Sequence, residues 1–288
     1  MYKLIAIDLD GTLLNSYGEI SNKNREAIKY AIQNDTKVVI ASGRDTDSVK
    51  KISLDLGINE FLIAGNGANI FNIKENENIY ENFLDKEKAL KIIEICKNNS
   101  IFFNVYTDNG IITESINFNV KVFNSENNYK PIEKQTNIEI VQDIYEYIKI
   151  NEFKILKVII CDENNIIFNR IVEKLNKISN IDVLDVEHMS KKVIKDGTKE
   201  VKVEYFYTEV TNKNANKWEA IKFLIDELNI NDNEIICIGD NENDRKMIEN
   251  AGMGVTMAES ALAIKNVGNY ITASNNEDGV AQAIYKFV

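Results

Sequence analysis

At both ends of the chain, short runs of aliphatic and β-branched residues alternate with segments whose apolar positions recur at helical spacing. Leu4-Ile5-Ala6-Ile7, Val38-Val39-Ile40-Ala41 and Phe61-Leu62-Ile63-Ala64 contain no polar position, the pattern of strands covered on both faces. Between the first two, Ala27, Ile28, Ala31 and Ile32 mark the inward face of a helix that Ser21 is placed to cap. Between the second and third, Val49, Ile52 and Leu56 mark another, which Gly57 stops. The pattern resumes with Trp218, Ile221, Leu224, Ile225 and Leu228 on a helix and Ile235-Ile236-Cys237-Ile238 as a strand. Two further units follow: residues 252–257 with a helix over 261–267, and residues 269–274 with a last helix burying Val280, Ala281, Ile284 and Phe287. Alternation of this kind predicts an α/β fold, a parallel sheet with helices on both faces.

Between 84 and 205 the texture changes. Strand-like runs (IFFNVY, KILKVII, IDVLDV, VKVEYFY) mix with helical patterns around 87–98, 136–149 and 164–178, which predicts an inserted α+β domain. Alternating residues flank Asp196-Gly197, a hairpin turn signal. The Asn-rich stretches near 74–82 and 124–128 read as polar loops, the first as a hinge. The expected organisation is therefore a core from 1–83 and 206–288 interrupted by an insert over 84–205, and 288 residues is long for one core.

Composition narrows the chemistry. With 34 basic and 45 acidic side chains the formal charge is −11, which disfavours nucleic acid and anionic membranes as partners. No apolar run reaches the roughly 18 residues of a membrane span. The amino terminus places Asp8 and Asp10 where a signal peptide needs an apolar core, so a cytoplasmic protein is expected. Cys96, Cys161 and Cys237 each sit inside an apolar segment, as buried free thiols do. His188 is the only histidine, which excludes histidine-based metal sites, and no serine lies in a Gly-x-Ser-x-Gly elbow.

Three of the predicted strands end in oxygen-bearing side chains: Asp8-Leu9-Asp10-Gly11-Thr12, Ser42-Gly43-Arg44, and Asp240-Asn241-Glu242-Asn243-Asp244. In open α/β sheets ligands bind at those carboxyl ends. Acidic side chains gathered there repel one another unless a cation compensates, so Asp8, Asp10, Asp240 and Asp244 imply a metal. An all-oxygen ligand set points to Mg²⁺. The amides after Asp8, the Ser42 hydroxyl, the Gly43 amide and Lys217, which opens the helix before the Asp240 strand, are candidates for an adjacent anion site. A metal, a lysine and such donors at one point suit a phosphoryl group.

These motifs, in this order and with Asn66-Gly67-Ala68 between the second and Lys217, resemble the haloacid dehalogenase (HAD) superfamily, most closely its Cof-type subfamily IIB phosphatases with a C2B cap. Asn275-Asn276-Glu277-Asp278-Gly279-Val280 resembles that subfamily's closing motif, so the resemblance spans the chain. It implies a HAD-like Rossmannoid core with an inserted mobile cap. It also implies Asp8 as the nucleophile that forms an aspartyl-phosphate and Asp10 as the acid/base. Asp8, the Asp10 carbonyl and Asp240 would hold Mg²⁺, with Asp244 a further ligand or the residue that orients Lys217 or the loop. The Leu9 amide, Ser42, Gly43, Lys217 and Asn243 would bind phosphate, and Asn66 would lie in the substrate-pocket loop. Arg44 stands either among the substrate contacts or as a cap or partner of Asp47. Trp218 after Lys217 and Glu259-Ser260 before Ala261 depart from the family pattern. The expected function is Mg²⁺-dependent hydrolysis of small phosphorylated metabolites, sugar phosphates foremost, by a monomer or weak homodimer. A sugar phosphomutase and a non-catalytic phospho-ligand-binding protein are the alternatives.

Overall fold

The computed structural model describes residues 2–132, 135–184, 189–196 and 199–288. The chain begins with β1 (Leu4–Ile7), α1 (Asn22–Gln33), β2 (Lys37–Ala41), α2 (Thr46–Asp55), β3 (Phe61–Ala64), β4 (Asn69–Asn72) and β5 (Glu77–Glu81). There follow α3 (Lys86–Asn98), β6 (Phe102–Thr107), β7 (Gly110–Thr113), α4 (Phe118–Asn127), β8 (Ile138–Ile140), α5 (Ile144–Ile150), β9 (Ile155–Asp162), α6 (Asn165–Leu175), β10 (Ile181–Val183), β11 (Ser190–Asp196) and β12 (Lys199–Asn212). The last stretch is α7 (Lys217–Leu228), β13 (Ile235–Gly239), α8 (Arg245–Asn250), β14 (Met253–Thr256), α9 (Leu262–Lys265), β15 (Tyr270–Ile271) and α10 (Gly279–Phe287).

Residues 1–81 and 215–288 form one compact unit and residues 82–214 a second. The sequence placed the far boundary at 205; β12 instead carries the chain on to Asn212, because its alternating pattern continues past Tyr207.

The first unit holds an eight-stranded sheet in the order β15-β14-β13-β1-β2-β3-β4-β5. Strands β15 to β3 are parallel, and β4 and β5 extend the edge as antiparallel strands. Alternation sorts the strand residues into two layers. Ile5, Ile7, Val38, Ile40, Ile236 and Ile238 pack with α1 and α10, while Leu4, Ala6, Val39, Ala41, Ile235 and Cys237 pack with α7 and α8. Burial on both faces is why these strands, apart from Lys37 at the open start of β2, carry no polar residue. Ser21 caps α1 through the Asn24 amide, as its position predicts. The inward stripe of α1 is Asn24, Ala27, Ile28 and Ala31, however, and Ile32 is 39% exposed.

The stretch near 74–82 is mostly strand rather than loop. Strand β5 is an edge with half-buried or exposed side chains, so it lacks the apolar run that announces an inner strand.

The second unit is built on a sheet ordered β10-β12-β9-β6-β7-β8, with β11 paired to β12. Phe103, Val105, Val158, Ile160 and Val210 pack one face against α3, α5 and α6. The helix expected over 136–149 starts later: Ile138–Ile140 pairs with β7 as β8, and Asp143 caps α5 through the Glu146 amide. Helix α4 covers Phe118–Asn127, so the polar stretch near 124–128 is largely helical. The strands flanking the expected hairpin pair from Ser190↔Tyr205 to Asp196↔Lys199, while Gly197 and His188 lie outside the described residues. All three cysteines are buried free thiols. No helix among the described residues is long and apolar enough to cross a membrane.

Candidate active site

Strands β13, β1 and β2 are neighbours in the sheet, so the three chemically rich strand ends fall side by side. Asp8 follows β1 directly, and its amide donates to the Ile238 carbonyl at the end of β13. Beyond it the chain turns tightly: the Leu13 amide donates to Asp8 O and the Leu14 amide to Leu9 O. Leu9 itself is fully buried. Gly11 has φ +92°, and a Cβ there would run into the Asp240 carboxylate. Only glycine combines that backbone with that closeness.

Lys217 is the first residue of α7, behind the N-cap Asn216, whose side chain accepts from the Glu219 amide. The lysine is fully buried, and its Nζ lies 2.5 Å from Asp8 Oδ1 and 2.6 Å from Asp244 Oδ1. The other Asp244 oxygen accepts the Asp240 and Asn241 amides at 3.0 and 3.2 Å. Asp244 therefore holds both the lysine and the loop after β13. Asp240 accepts from the Thr12 hydroxyl at 2.8 Å, a contact that the sequence reading missed although Thr12 stands inside the first motif.

Gly67, at φ +95° on the turn after β3, lies so close to the Asn216 carbonyl that a Cβ would collide with it, which brings that turn against the start of α7. Asn66, also at positive φ, accepts from the Asn243 amide group at 3.0 Å. Its own backbone amide donates to the Ser42 carbonyl at 2.9 Å. Ser42 is fully buried, and its hydroxyl accepts from the Arg44 amide at 3.2 Å. Gly43 lies against Asn66, because a Cβ on it would come within 2.8 Å of the Asn66 Oδ1.

Asp10 stands apart from the buried cluster. Its side chain is 60% exposed and is held by Arg44, with Nε 2.8 Å from Oδ2 and Nη2 2.6 Å from Oδ1. The nearer carboxylate in sequence, Asp47, pairs with Lys51 at 2.7 Å instead.

The charges in the buried cluster do not balance. Ligand oxygens of Asp8, Asp240 and Asp244 lie within 4.8 Å of one another. Burial, with Asp244 next, pushes the Asp8 carboxyl well above the usual carboxylate range, although Lys217 pulls it down. Burial and Asp244 likewise push Asp240 up to about 6, with the Thr12 hydroxyl opposing. Burial disfavours the Lys217 ammonium, but Asp244 and Asp8 outweigh it and raise its pKa. The lysine thus keeps its proton while each carboxylate receives only part of its charge. Three converging carboxylates, oxygen donors throughout, with a single buried ammonium, fit a hard divalent cation.

The chain matches the family model of haloacid dehalogenase-like hydrolases over residues 5–284. It is 30% identical to phosphatase YwpJ of Bacillus subtilis (strain 168), an alignment covering 97% of both chains. It is 29% identical to the 5-amino-6-(5-phospho-D-ribitylamino)uracil phosphatase YcsE of the same strain, covering 99% of this chain and 96% of the relative. Among solved structures, a haloacid dehalogenase-like hydrolase from Bacillus subtilis superposes with a TM-score of 0.81 at 25% identity, covering 99% of this chain and all of that one. The ordered strand-end motifs, the fold that gathers them and a family match along almost the whole chain agree, and the protein belongs to the haloacid dehalogenase-like hydrolases.

Proposed function

We propose that the protein is a Mg²⁺-dependent phosphatase of small phosphorylated metabolites that works through an aspartyl-phosphate on Asp8. The observation that carries this reading is the Asp8 carboxylate, 4% exposed at a strand end, gripped by Lys217 and crowded by Asp240 and Asp244. Such a carboxylate is fixed for in-line attack and waits for positive charge on its other side.

Asp8 attacks the phosphorus, and the bond from phosphorus to the leaving oxygen breaks. Asp10 gives that oxygen its proton. Asp10 then takes a proton from the water that attacks the phosphorus, and Asp8 departs as a carboxylate. Lys217 holds Asp8 throughout and offers its ammonium to the phosphoryl oxygens, with the Leu9 amide, Ser42, Gly43 and Asn243 as further donors. Asp8, the Asp10 carbonyl, Asp240 and Asp244 would hold Mg²⁺, which would supply neutralising charge for the transferring group. The match to YcsE, named for a phosphorylated ribityl substrate, supports sugar and polyol phosphates as the class to test first. Three buried free thiols support a reducing, cytoplasmic setting.

The test is product analysis on a panel of sugar, polyol and nucleotide monophosphates with Mg²⁺. Free phosphate together with the dephosphorylated alcohol is the expected result. An isomerised phosphosugar would make the protein a mutase, and no turnover of any monoester by folded, Mg²⁺-loaded protein would contradict the hydrolase reading of this site.

A further inference from the structure

The Asp10 carboxylate lies on a turn at the edge of the site, 60% exposed. Arg44 grips it with a planar fork that engages both carboxylate oxygens, at 2.8 and 2.6 Å. Arg44 reaches Asp10, 34 positions back in the chain, while Asp47, three residues away, pairs with Lys51. Arg44 is itself anchored. Its side chain is 17% exposed, its amide donates to the Ser42 hydroxyl, its carbonyl accepts from the Gly65 amide at 2.9 Å, and the next residue, Asp45, caps α2 through the Ser48 amide.

We infer that Arg44 is a positioning residue that acts through Asp10 rather than a direct phosphate ligand. The inference rests on the phosphatase reading above. An ionised carboxylate has about four lone-pair sites. A side-on guanidinium takes one on each oxygen, so this pairing by itself does not use up the acceptor capacity Asp10 needs for the proton it exchanges with the leaving oxygen and then with water. Arg44 keeps all its protons in both steps and sets the plane in which Asp10 works. A lysine is a point charge without the fork and does not reproduce that constraint.

The test is a double-mutant cycle on the full chain with Mg²⁺: Arg44→Met, Arg44→Lys, Asp10→Asn, and Arg44→Met combined with Asp10→Asn. For each, kcat and KM are measured on an alkyl phosphate, whose leaving group needs a proton, and on p-nitrophenyl phosphate, whose leaving group does not. Inhibition by inorganic phosphate is measured alongside. For Arg44→Met, kcat/KM on the alkyl phosphate, which excludes the water-attack step shared by both substrates, should fall by about 10²-fold, the scale of a misplaced catalytic group. The fall on p-nitrophenyl phosphate should be much smaller, and phosphate inhibition should be unchanged. Arg44→Lys should remain impaired in the same leaving-group-dependent way, and Arg44→Met should add no loss in the Asp10→Asn background. Weakened phosphate inhibition, equal losses on both substrates, or a full further loss on top of Asp10→Asn would overturn the inference and make Arg44 a substrate contact. Circular dichroism checks folding, and should Arg44→Met fail to fold, the milder Arg44→Lys carries the same comparisons. Failure of the phosphatase reading registers separately, as a wild type that releases no phosphate from any monoester.

Discussion

Both units bury charged side chains, and they resolve the cost in opposite ways. In the insert, Lys157 meets Glu209 at 2.9 Å, with side chains 4% and 14% exposed, an ammonium set directly on a carboxylate. Nearby, Asn104 and Asn119 bond each other through both amide groups, fastening α4 to the face of the sheet opposite α3, α5 and α6. In the core, one buried ammonium, Lys217, faces Asp8 and Asp244, and Asp240 joins the same cluster. A matched pair is a way of holding a fold together. An excess of buried carboxylate is costly to the fold alone, and its location at two neighbouring strand ends ties that cost to catalysis.

The strongest way to break this contrast is Asp8→Asn. It removes the nucleophile and one of the three carboxylates, so turnover should fall by about 10⁴-fold or more, while the metal-free protein remains folded by circular dichroism. Activity near wild type would end the assignment of Asp8.

Charge removal on the basic side separates the two clusters further. Lys217→Met and Lys157→Met each strand buried carboxylate, and each should lower the unfolding free energy by about 3–5 kcal/mol in denaturant melts. Mg²⁺ should recover part of the loss for Lys217→Met and none for Lys157→Met. Equal recovery in both would erase the distinction between a metal centre and a structural pair.

The pH dependence of stability sharpens it again. Asp240 and Asp8 bind protons more tightly folded than unfolded, so in metal-free protein the folded state holds the extra protons between about pH 4, the ordinary carboxylate range, and about pH 6, the Asp240 value. Stability contributed by these groups is therefore full at low pH and is lost as pH rises through that window. Saturating Mg²⁺ should remove the decline, which melts at fixed ionic strength would show. A decline of the same size with Mg²⁺ would argue against a metal at these carboxylates.

The smallest effect expected is that of Thr12→Val, which deletes the hydroxyl that orients Asp240. Metal affinity should weaken by about 10- to 100-fold, read by calorimetric titration, with turnover near wild type once metal saturates. Unchanged affinity would reduce Thr12 to a packing residue.

What the sequence reveals divides along a physical line. Inner strands such as β1 and β13 are legible because burial on both faces forbids polar residues, and their ends are legible because each chemical motif is contiguous. Edge strands are not: β5 keeps polar and half-buried positions, and β8 is three residues inside a stretch with helical spacing. Ile32 has the right spacing for the inward face of α1 but falls just beyond its buried stripe, which begins instead at Asn24, whose Oδ1 accepts from the Ala281 amide of α10. Pairings between distant motifs are the hardest to read. Arg44 has Asp47 within one helical turn, yet the turn after β1 brings Asp10 to it, and Asp47 is taken by Lys51. The Thr12 contact to Asp240 spans 228 positions and depends on Gly11 allowing the two loops to touch.

The central claim is that the unbalanced carboxylate cluster is a divalent-metal centre for phosphoryl transfer from substrate to Asp8. The most direct measurement is phosphate release from p-nitrophenyl phosphate by wild type and Asp8→Asn, each with Mg²⁺ and with EDTA. Release by wild type that EDTA abolishes, and that Asp8→Asn lacks under both conditions, is the result expected. Release that persists in EDTA, or in Asp8→Asn with Mg²⁺, would contradict it.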